Sequence, residues 1–304
     1  MRRFFVLVRT AALEALSEPL SSVLFLSALL AVPLLPVFHC HQFGDPARLP
    51  RECGLSLLLV FGLVFATSSA VRVIGGELNK GTASAVLARA VPRSLFFCAK
   101  ATGVLVAFAL FAAAVTLATL VSAATAETGS RLMSHHGGSS VWGFGVAMST
   151  GLTLLVYAAA ACANAAWGMR FCLTSCCALS VTQGIVAAIV LPFAAVPPAF
   201  HLVGAFAVLT VGCCALIAFA GALAVRLKPA AVTACTVSVV LLAFLRPVTA
   251  FMPNLHRFWL ADAYTAAGRM PSAETIVTTL GAGVLLTVFW LTVGSVLLER
   301  RELP

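Results

Sequence analysis

The sequence has 304 residues, of which 61% are hydrophobic and only 10% are charged, and its mean hydropathy is +1.06. A soluble domain carries about 25% charged residues, so the composition excludes a water-soluble globular fold and predicts a protein that lies in a lipid bilayer. The net charge of +9 could indicate nucleic-acid binding, but the basic residues are scattered over short connections. Basic cytoplasmic loops of a membrane protein explain that distribution better.

Residues 1–18 combine a short apolar run with basic and acidic side chains. The run is interrupted by Arg9, Glu14 and Glu18, whereas a secretory signal peptide has an uninterrupted apolar centre. We therefore expect this segment to remain on the mature protein.

Eight segments of the chain approach the roughly 20 apolar residues that a helix needs to cross a bilayer. They are 20–38, 54–74, 101–124, 143–168, 172–196, 202–225, 230–247 and 276–298. The seventh is short and ends at Arg246-Pro247, which leaves a re-entrant or tilted path open for it. The sequence therefore predicts an all-α polytopic membrane protein with about six to eight transmembrane helices. Counts of six and eight both place the two termini on the same side.

The basic residues predict the orientation of these spans, because cytoplasmic loops carry an excess of Lys and Arg. With a cytoplasmic N-terminus, thirteen of the 19 basic residues face inward: Arg2, Arg3, Arg9, Arg72, Lys80, Arg89, Arg93, Lys100, Arg170, Arg226, Lys228, Arg300 and Arg301. The other six face outward: Arg48, Arg51, Arg131, Arg246, Arg257 and Arg269. We therefore predict that both termini and the connection 76–100 are cytoplasmic.

The connections between the spans are too short to hold a soluble domain, so residues 1–304 are interpreted as a single transmembrane domain. No acidic residue lies deep in a predicted span, and the strongly polar residues there are Asn164 and Gln183. Ion-coupled carriers commonly use intramembrane acids or histidines. The pattern therefore disfavours such a carrier, although a site built from backbone carbonyls stays open.

The sequence also lacks the common catalytic motifs. It contains neither a G-x-x-x-x-G-K-[ST] phosphate loop nor an H-E-x-x-H metalloprotease motif. The Gly-Ser-Ser at 138–140, beside His135 and His136, is interpreted as a polar loop. We therefore predict no catalytic residue in this chain, and if ATP drives it, another chain binds the nucleotide.

The connection from Gly75 to Lys100 is unusually polar for so apolar a chain. Gly75-Gly76 can break the second span as it leaves the bilayer, Thr82 is a suitable N-cap, and Pro92 disfavours helix at the preceding residue. A short helix with one apolar face is predicted between them, with that face formed by Ala83, Val86, Leu87, Ala90 and Val91. Arg93 and Lys100 then fall at headgroup level. On physical grounds this helix is either an interfacial element or a docking element for a partner.

The same residues resemble the coupling segment of ABC-2 type transporter permeases. Glu77 is followed by Gly81-Thr82, a small apolar helix, Val91-Pro92-Arg93 and Lys100. The common form in that family is an acidic residue, then Gly-Thr, a run similar to LLLSKP, a basic residue and Gly-Lys. This sequence departs from it with Ala90-Val91 before the proline and Ala99 before Lys100.

The two ends of the chain resemble the same family. Pro253-Asn254 and Phe258 precede the last span, and the basic tail Arg300-Arg301-Glu302 follows it. Residues 1–18 are similar to the family's N-terminal elbow helix, an amphipathic helix that lies along the inner face of the membrane. The resemblance is weakest in the three apolar segments between 172 and 247.

The resemblance implies the permease subunit of an ATP-binding-cassette transporter, an exporter of an unidentified substrate in a bacterial inner (cytoplasmic) membrane. It implies an elbow helix at 1–18, a coupling segment at 76–92 and an extracytoplasmic loop at 248–275. The partners would be a second permease subunit, identical or different, and two copies of an ABC ATPase subunit that binds ATP and Mg. No cofactor is expected on this chain, and no nucleic-acid partner. The residues implied to contact the ATPase are Glu77, Gly81, Thr82, Val86, Leu87, Arg89, Pro92 and Arg93.

Several features of the predicted outer side complete these expectations. Cys40 and Cys53 flank a loop in a way that permits a disulfide, and the sequence leaves that pairing open. The histidines lie on separate loops without fixed ligand spacing, so no metal site is predicted. Phe258 and Trp259 are expected at headgroup depth, where aromatic residues are enriched.

Two other functions stay open at this point. One is an ion-coupled secondary carrier with a site built from backbone groups. The other is a membrane scaffold or assembly factor that uses the same docking helix without moving a substrate. An adjacent reading frame for an ABC ATPase would favour the permease, whereas ATP-independent uptake driven by an ion gradient would favour the carrier.

Overall fold

The computed structural model describes residues 2–34, 47–79, 91–136, 139–193, 201–244, 258 and 272–301. Within these ranges 93% of the residues are helical and there is no strand. The first part of the chain forms α1 (Arg2–Leu16), α2 (Pro19–Leu34), α3 (Arg48–Ser69), a π-helix (Ala70–Gly75) and α4 (Gly76–Asn79). The rest forms α5 (Arg93–His136), α6 (Ser139–Trp167), α7 (Phe171–Val190), a 3₁₀ turn (Leu191–Phe193), α8 (His201–Ala224), α9 (Pro229–Phe244) and α10 (Ala273–Glu299).

Six helical stretches in the described ranges are long and apolar enough to cross a membrane. They are Arg48–Leu78, Arg93–Ala126, Gly145–Trp167, Phe171–Val190, Leu202–Ala224 and Ala273–Glu299. The helices α1 and α2 meet the same criterion only as a pair, bent by 66° at the break between them, and would add a seventh span. Pro229–Leu242 is a shorter apolar helix. The structure therefore agrees with the prediction of a helical membrane protein with about six to eight spans, and with a multi-pass arrangement.

The chain divides into two compact units: one of Met1–Leu16, Gly62–Ala109 and Ala207–Pro304, the other of Ser17–Phe61 and Leu110–Phe206. In the second unit α2, α6 and α7 pack together through a few polar contacts. The hydroxyl of Ser22 lies 3.0 Å from that of Ser175 and 3.3 Å from that of Tyr157. Farther along the same helices, Gln183 Nε2 donates to Thr153 Oγ1 at 3.4 Å. Small hydroxyl side chains of this kind hold membrane helices together.

The turn between α6 and α7 explains why Asn164 lies in a predicted span. Asn164 Nδ2 donates to the carbonyl of Met169, and the backbone N–H of Gly168 donates to the carbonyl of Asn164 at 2.9 Å. Gly168 has a φ of 65°, a left-handed conformation that glycine adopts readily when it ends a helix. Asn164 therefore stabilises a helix end.

In the first unit, the core beneath α4 and the start of α5 is built from large apolar side chains of several helices. Its fully buried members are Ile74, Leu78, Phe96, Phe97, Ala101, Val225 and Leu298. These residues come from the π-helix, α4, α5, the residue after α8 and the last turn of α10. The core therefore joins the helix ends at which the polar contacts described below are found.

The break that Gly75-Gly76 was expected to make in the second span is absent. Residues 70–75 continue α3 as a π-helix, and Gly76 has ordinary helical angles, φ −62° and ψ −44°. The helix then runs on as α4 to Asn79. Glycine permits a break but does not require one, and packing of Ile74 and Leu78 in the core favours continued helix. That prediction was wrong.

Phe258 is buried between two helices of the first unit. Its side chain lies against Gly212 and Gly283. Each glycine is about eleven residues from the start of its helix, which corresponds to roughly 16 Å at 1.5 Å per residue, about half of a ~30 Å hydrocarbon core. Phe258 therefore packs in the protein interior about halfway along both helices, and its depth in the membrane stays a prediction. Trp259 and the rest of the 248–271 segment lie outside the described residues.

Candidate functional site at the first turns of α5

A buried lysine lies near the start of α5. Lys100 is the eighth residue of that helix, and only 4% of its side chain is exposed. Lysine is almost never fully buried unless it is paired, because removing an ammonium from water costs several kcal/mol. The sequence placed Lys100 at headgroup level, whereas in the structure protein atoms surround it.

Two carboxylates provide the partners. Lys100 Nζ donates to Glu77 Oε1 at 2.7 Å and to Glu14 Oε2 at 2.9 Å. The side chains of Glu77 and Glu14 are 23% and 38% exposed, so both retain some contact with water. Hydrogen bonds between charged groups at these distances are the strong kind. We call Glu14, Glu77 and Lys100 the ion cluster.

Close backbone contact between α1 and α5 brings Glu14 to the ion cluster. A Cβ atom added at Gly103 would lie 2.5 Å from Ala11 Cβ and 2.6 Å from the carbonyl oxygen of Val8. Ala11 and Ala15 are fully buried. Gly103 is one turn beyond Lys100, and Glu14 is one turn beyond Ala11, so the contact sets the two charged side chains opposite each other.

The π-helix controls the direction of Glu77. A π turn adds about one residue to the α-helical register, which rotates the following residues by roughly 100° around the helix axis. Glu77 is the second residue after Ala70–Gly75. Its carboxylate therefore reaches Lys100 because of the local winding of the helix, and π-turns of this kind recur at functional sites.

Arg93 makes a second set of contacts at the first turn of α5. Its Nη1 donates to the carbonyl oxygens of Arg301 at 2.8 Å and Glu299 at 3.2 Å. Arg301 in turn donates to the carbonyl of Val225. Carbonyls at helix C-termini lack helical partners and carry partial negative charge. These arginines therefore tie the start of α5 to the ends of α8 and α10.

The coupling residues predicted from the sequence fall into two groups. Pro92 is exposed, and its carbonyl accepts from the N–H of Phe96 at 3.0 Å, so it precedes α5 directly. Glu77 and Arg93 have partners within this chain, as given above. The contacts with an ATPase subunit that the resemblance implies for Glu77 and Arg93 stay a prediction. The others lie outside the described residues: Gly81, Thr82, Val86, Leu87 and Arg89.

Sequence reasoning missed the role of Glu14 and Lys100. Glu14 was used only as evidence against a signal peptide, and Lys100 only as a headgroup residue. The sequence does contain an indication that Lys100 has a partner, because it is an isolated charge eight residues into a long apolar helix. Finding its partners required knowing that α1 packs on α5.

In the ion cluster both carboxylates bind one ammonium. The described residues do not include a group of three or more His, Cys, Asp or Glu side chains that could hold a metal ion. The arrangement is a polar joint that connects three helices: α1, α4 and α5.

Comparison of the chain with protein-family models, with curated proteins and with solved structures found no match in any of the three.

Proposed function

We propose that this chain is the permease subunit of an ATP-binding-cassette exporter of the ABC-2 type, moving an unidentified substrate with ATP hydrolysed by a separate ATPase subunit. The observation that carries the proposal is the ion cluster. Glu77 is at the end of the helix that leads into residues 80–90, and Lys100 links it to both α1 and α5. A displacement applied to the 80–90 segment would reach two other helices directly through these contacts.

Transmission of a displacement from residues 80–90 to the other helices requires rigid contacts between those helices. Ile74 and Leu78, on either side of Glu77 in the chain, pack in the same buried core as Phe96 and Phe97 of α5. Arg93 fixes the first turn of α5 to the last turn of α10. Packed cores transmit displacement because they have low compressibility. The described residues on both sides of 80–90 therefore provide rigid contacts of the kind that a coupling segment needs.

The proposal also gives α1 a role as an elbow helix on the inner face of the membrane. One side of α1 is buried through Ala11 and Ala15, while Phe5 and Val6 are largely exposed. The exposed surface also carries Arg2, Arg3 and Arg9. Apolar and basic groups together suit the boundary between acyl chains and anionic headgroups. In this arrangement both termini are cytoplasmic, and 248–275 is an extracytoplasmic loop.

The partners follow from the same proposal. Two ATPase subunits, each with ATP and Mg, would bind beneath a dimer of permease subunits. This chain would bind no cofactor and catalyse no reaction. The membrane would be a bacterial inner membrane.

Co-purification tests the proposal. The tagged chain, extracted from its native membrane, is expected to retain an ATPase that has a phosphate loop. A Glu77→Arg, Arg89→Glu variant should retain it much less, whereas the matched double variant Arg48→Glu, Glu52→Arg should retain it normally. Glu52 pairs with Arg48 at 2.8 Å on the other unit, so the control makes the same charge exchanges at an exposed pair outside the predicted coupling segment.

Two results would count against the proposal. Equal retention of the ATPase by both double variants would remove the coupling role from residues 77–89. Uptake into proteoliposomes that needs an ion gradient and no ATP would instead support the carrier.

A further inference from the structure

Five basic residues are gathered at one end of the first unit. The guanidinium of Arg301 donates to the carbonyl of Val225, and that of Arg93 donates to the carbonyl of Arg301 at 2.8 Å. Arg226 and Lys228 follow Val225 closely in the turn between α8 and α9, and Arg300 precedes Arg301. We call the group the basic end; its members are Arg93, Arg226, Lys228, Arg300 and Arg301.

The charge of the basic end is not balanced by the described part of the chain. Its five cations have two acidic neighbours in sequence, Glu299 and Glu302, which leaves a local charge of +3. The side chains of Arg226, Lys228 and Arg300 are exposed, and none of the three forms an ion pair with a described residue. Like charges at one end of the unit repel each other, so an anion that binds there is stabilised.

We propose that Arg226, Lys228 and Arg300 bind the phosphate of an anionic phospholipid. Guanidinium groups bind phosphate oxygens in a bidentate manner, and an ammonium adds a compact point charge. Basic residues at the membrane surface favour anionic headgroups in proportion to their number. The proposal does not depend on the permease assignment.

The exposed face of α10 identifies the anion as a lipid rather than a soluble phosphate. Leu285, Phe289 and Val296 are 72%, 53% and 46% exposed. With Arg300 they are spaced i, i+4, i+11 and i+15, which places all four within roughly 60° of one another around the helix.

The length of this face matches a lipid. From Phe289 to Arg300 the helix rises about 16 Å, which is close to half the thickness of a ~30 Å hydrocarbon core. An acyl chain can therefore lie along Phe289 and Val296 while the phosphate of the same molecule reaches Arg300. A free phosphate or an acidic protein would contact the basic end alone, whereas a phospholipid contacts both the basic end and this apolar face.

The test is native mass spectrometry of the purified full-length chain, released from nanodiscs that contain equal amounts of phosphatidylglycerol and phosphatidylcholine. The wild-type chain should retain phosphatidylglycerol in preference to phosphatidylcholine. The triple variant Arg226→Gln, Lys228→Gln, Arg300→Gln should lower that preference about tenfold. A Phe289→Ala, Val296→Ala variant should lower retention of phosphatidylglycerol without altering the basic end.

The control removes charge from two exposed residues that lie outside both α1 and the basic end: Arg48→Gln and Arg170→Gln. It should keep the wild-type preference. The conservative variant Arg226→Lys, Arg300→Lys should keep most of it, which shows that the triple variant acts through charge. If the triple variant fails to purify as a folded protein, the single variants Lys228→Gln and Arg300→Gln should each give a smaller loss.

Three results would overturn the proposal. The first is an unchanged preference for phosphatidylglycerol in the triple and single variants. The second is displacement of the bound lipid by inorganic phosphate, which would make the site one for a soluble anion. The third is loss of a co-purifying protein from the triple variant while its lipid preference is kept, which would make the basic end a protein-docking surface.

Discussion

Lys100 Nζ lies 2.7 Å from Glu77 Oε1, although the two residues belong to different helices and are separated by 23 positions in the chain. The contact joins the end of α4 to α5, and Glu14 of α1 completes it at 2.9 Å. The intervening residues form the segment whose sequence resembles a coupling element. Four predictions follow from this contact and from other packing contacts in the structure.

Lys100→Met should destabilise the protein. It leaves Glu14 and Glu77 facing each other, and breaking a buried ion pair by removing one partner costs about 3–5 kcal/mol. Partial exposure of the two carboxylates reduces this toward about 2 kcal/mol. A fall of several degrees in the unfolding temperature is expected, measured by intrinsic fluorescence in detergent.

A combined variant separates charge repulsion from lost packing. Lys100→Met with Glu14→Gln and Glu77→Gln removes the uncompensated charge and should recover much of the lost stability. If the single and combined variants unfold at the same temperature, the ion cluster does not act through charge. Arg9→Gln, on the exposed side of α1, should leave the temperature unchanged.

Gly103→Ala should loosen the packing of α1 on α5. The new methyl group would lie 2.5 Å from Ala11 Cβ and 2.6 Å from the Val8 carbonyl oxygen. Overpacking of this kind costs typically about 1–3 kcal/mol. Gly184→Ala is the control, because a Cβ at Gly184 meets no atom within 4 Å.

The control should be neutral or slightly stabilising, since alanine is favoured over glycine in a helix by about 1 kcal/mol. Thermal unfolding of both variants is the measurement. Limited proteolysis near residue 17 should also become faster in Gly103→Ala alone. Equal unfolding temperatures for the two variants would contradict the close approach of α1 and α5.

Phe258→Ala should weaken the packing of α8 on α10. The ring fills the space above two glycines: a Cβ at Gly212 would lie 3.0 Å from Phe258 Cγ, and one at Gly283 would lie 2.9 Å from Phe258 Cε1. Removing a buried phenylalanine costs about 3–5 kcal/mol. Phe289→Ala, at a position that is 53% exposed, should have a much smaller effect on the unfolding temperature.

Gln183→Met should leave stability unchanged or raise it. Gln183 is 2% exposed, its Nε2 makes a long 3.4 Å contact with Thr153, and its Oε1 has no hydrogen-bond partner among the described residues. An unsatisfied buried acceptor costs about 1–3 kcal/mol, and an apolar side chain of similar size avoids that cost. A drop in the unfolding temperature would show that Oε1 has a partner in the folded protein.

Much of the architecture could be predicted from the sequence. All six spans that the structure supports were predicted, because about twenty consecutive apolar residues form a helix in lipid. Three of them agree within three residues at both ends, whereas 54–74 began six residues too late and 172–196 ended six residues too late. The stretch Arg93–Ala126 was predicted to begin at 101, eight residues too late. The error arose because the charges of Arg93 and Lys100 indicated a position in contact with water. A charged residue that has a partner within the protein does not require that contact.

The candidate site could be predicted only in part. Glu77 and Arg93 were named from their pattern, whereas Glu14 and Lys100 were given other roles. Composition and spacing describe one segment at a time, and the ion cluster joins residues from three.

The sequence by itself determined that this chain is helical, apolar and built from several membrane-spanning stretches, since those properties depend on local composition and helical period. Only the tertiary structure decided that the helix continues through Gly75-Gly76, that Phe258 packs against Gly212 and Gly283, and that Lys100 binds Glu14 and Glu77. Each of these depends on which surfaces meet across long separations in the chain. The sequence alone allows a glycine, an aromatic residue or a charged residue to occupy several different environments. Its neighbours in the folded protein select one of them.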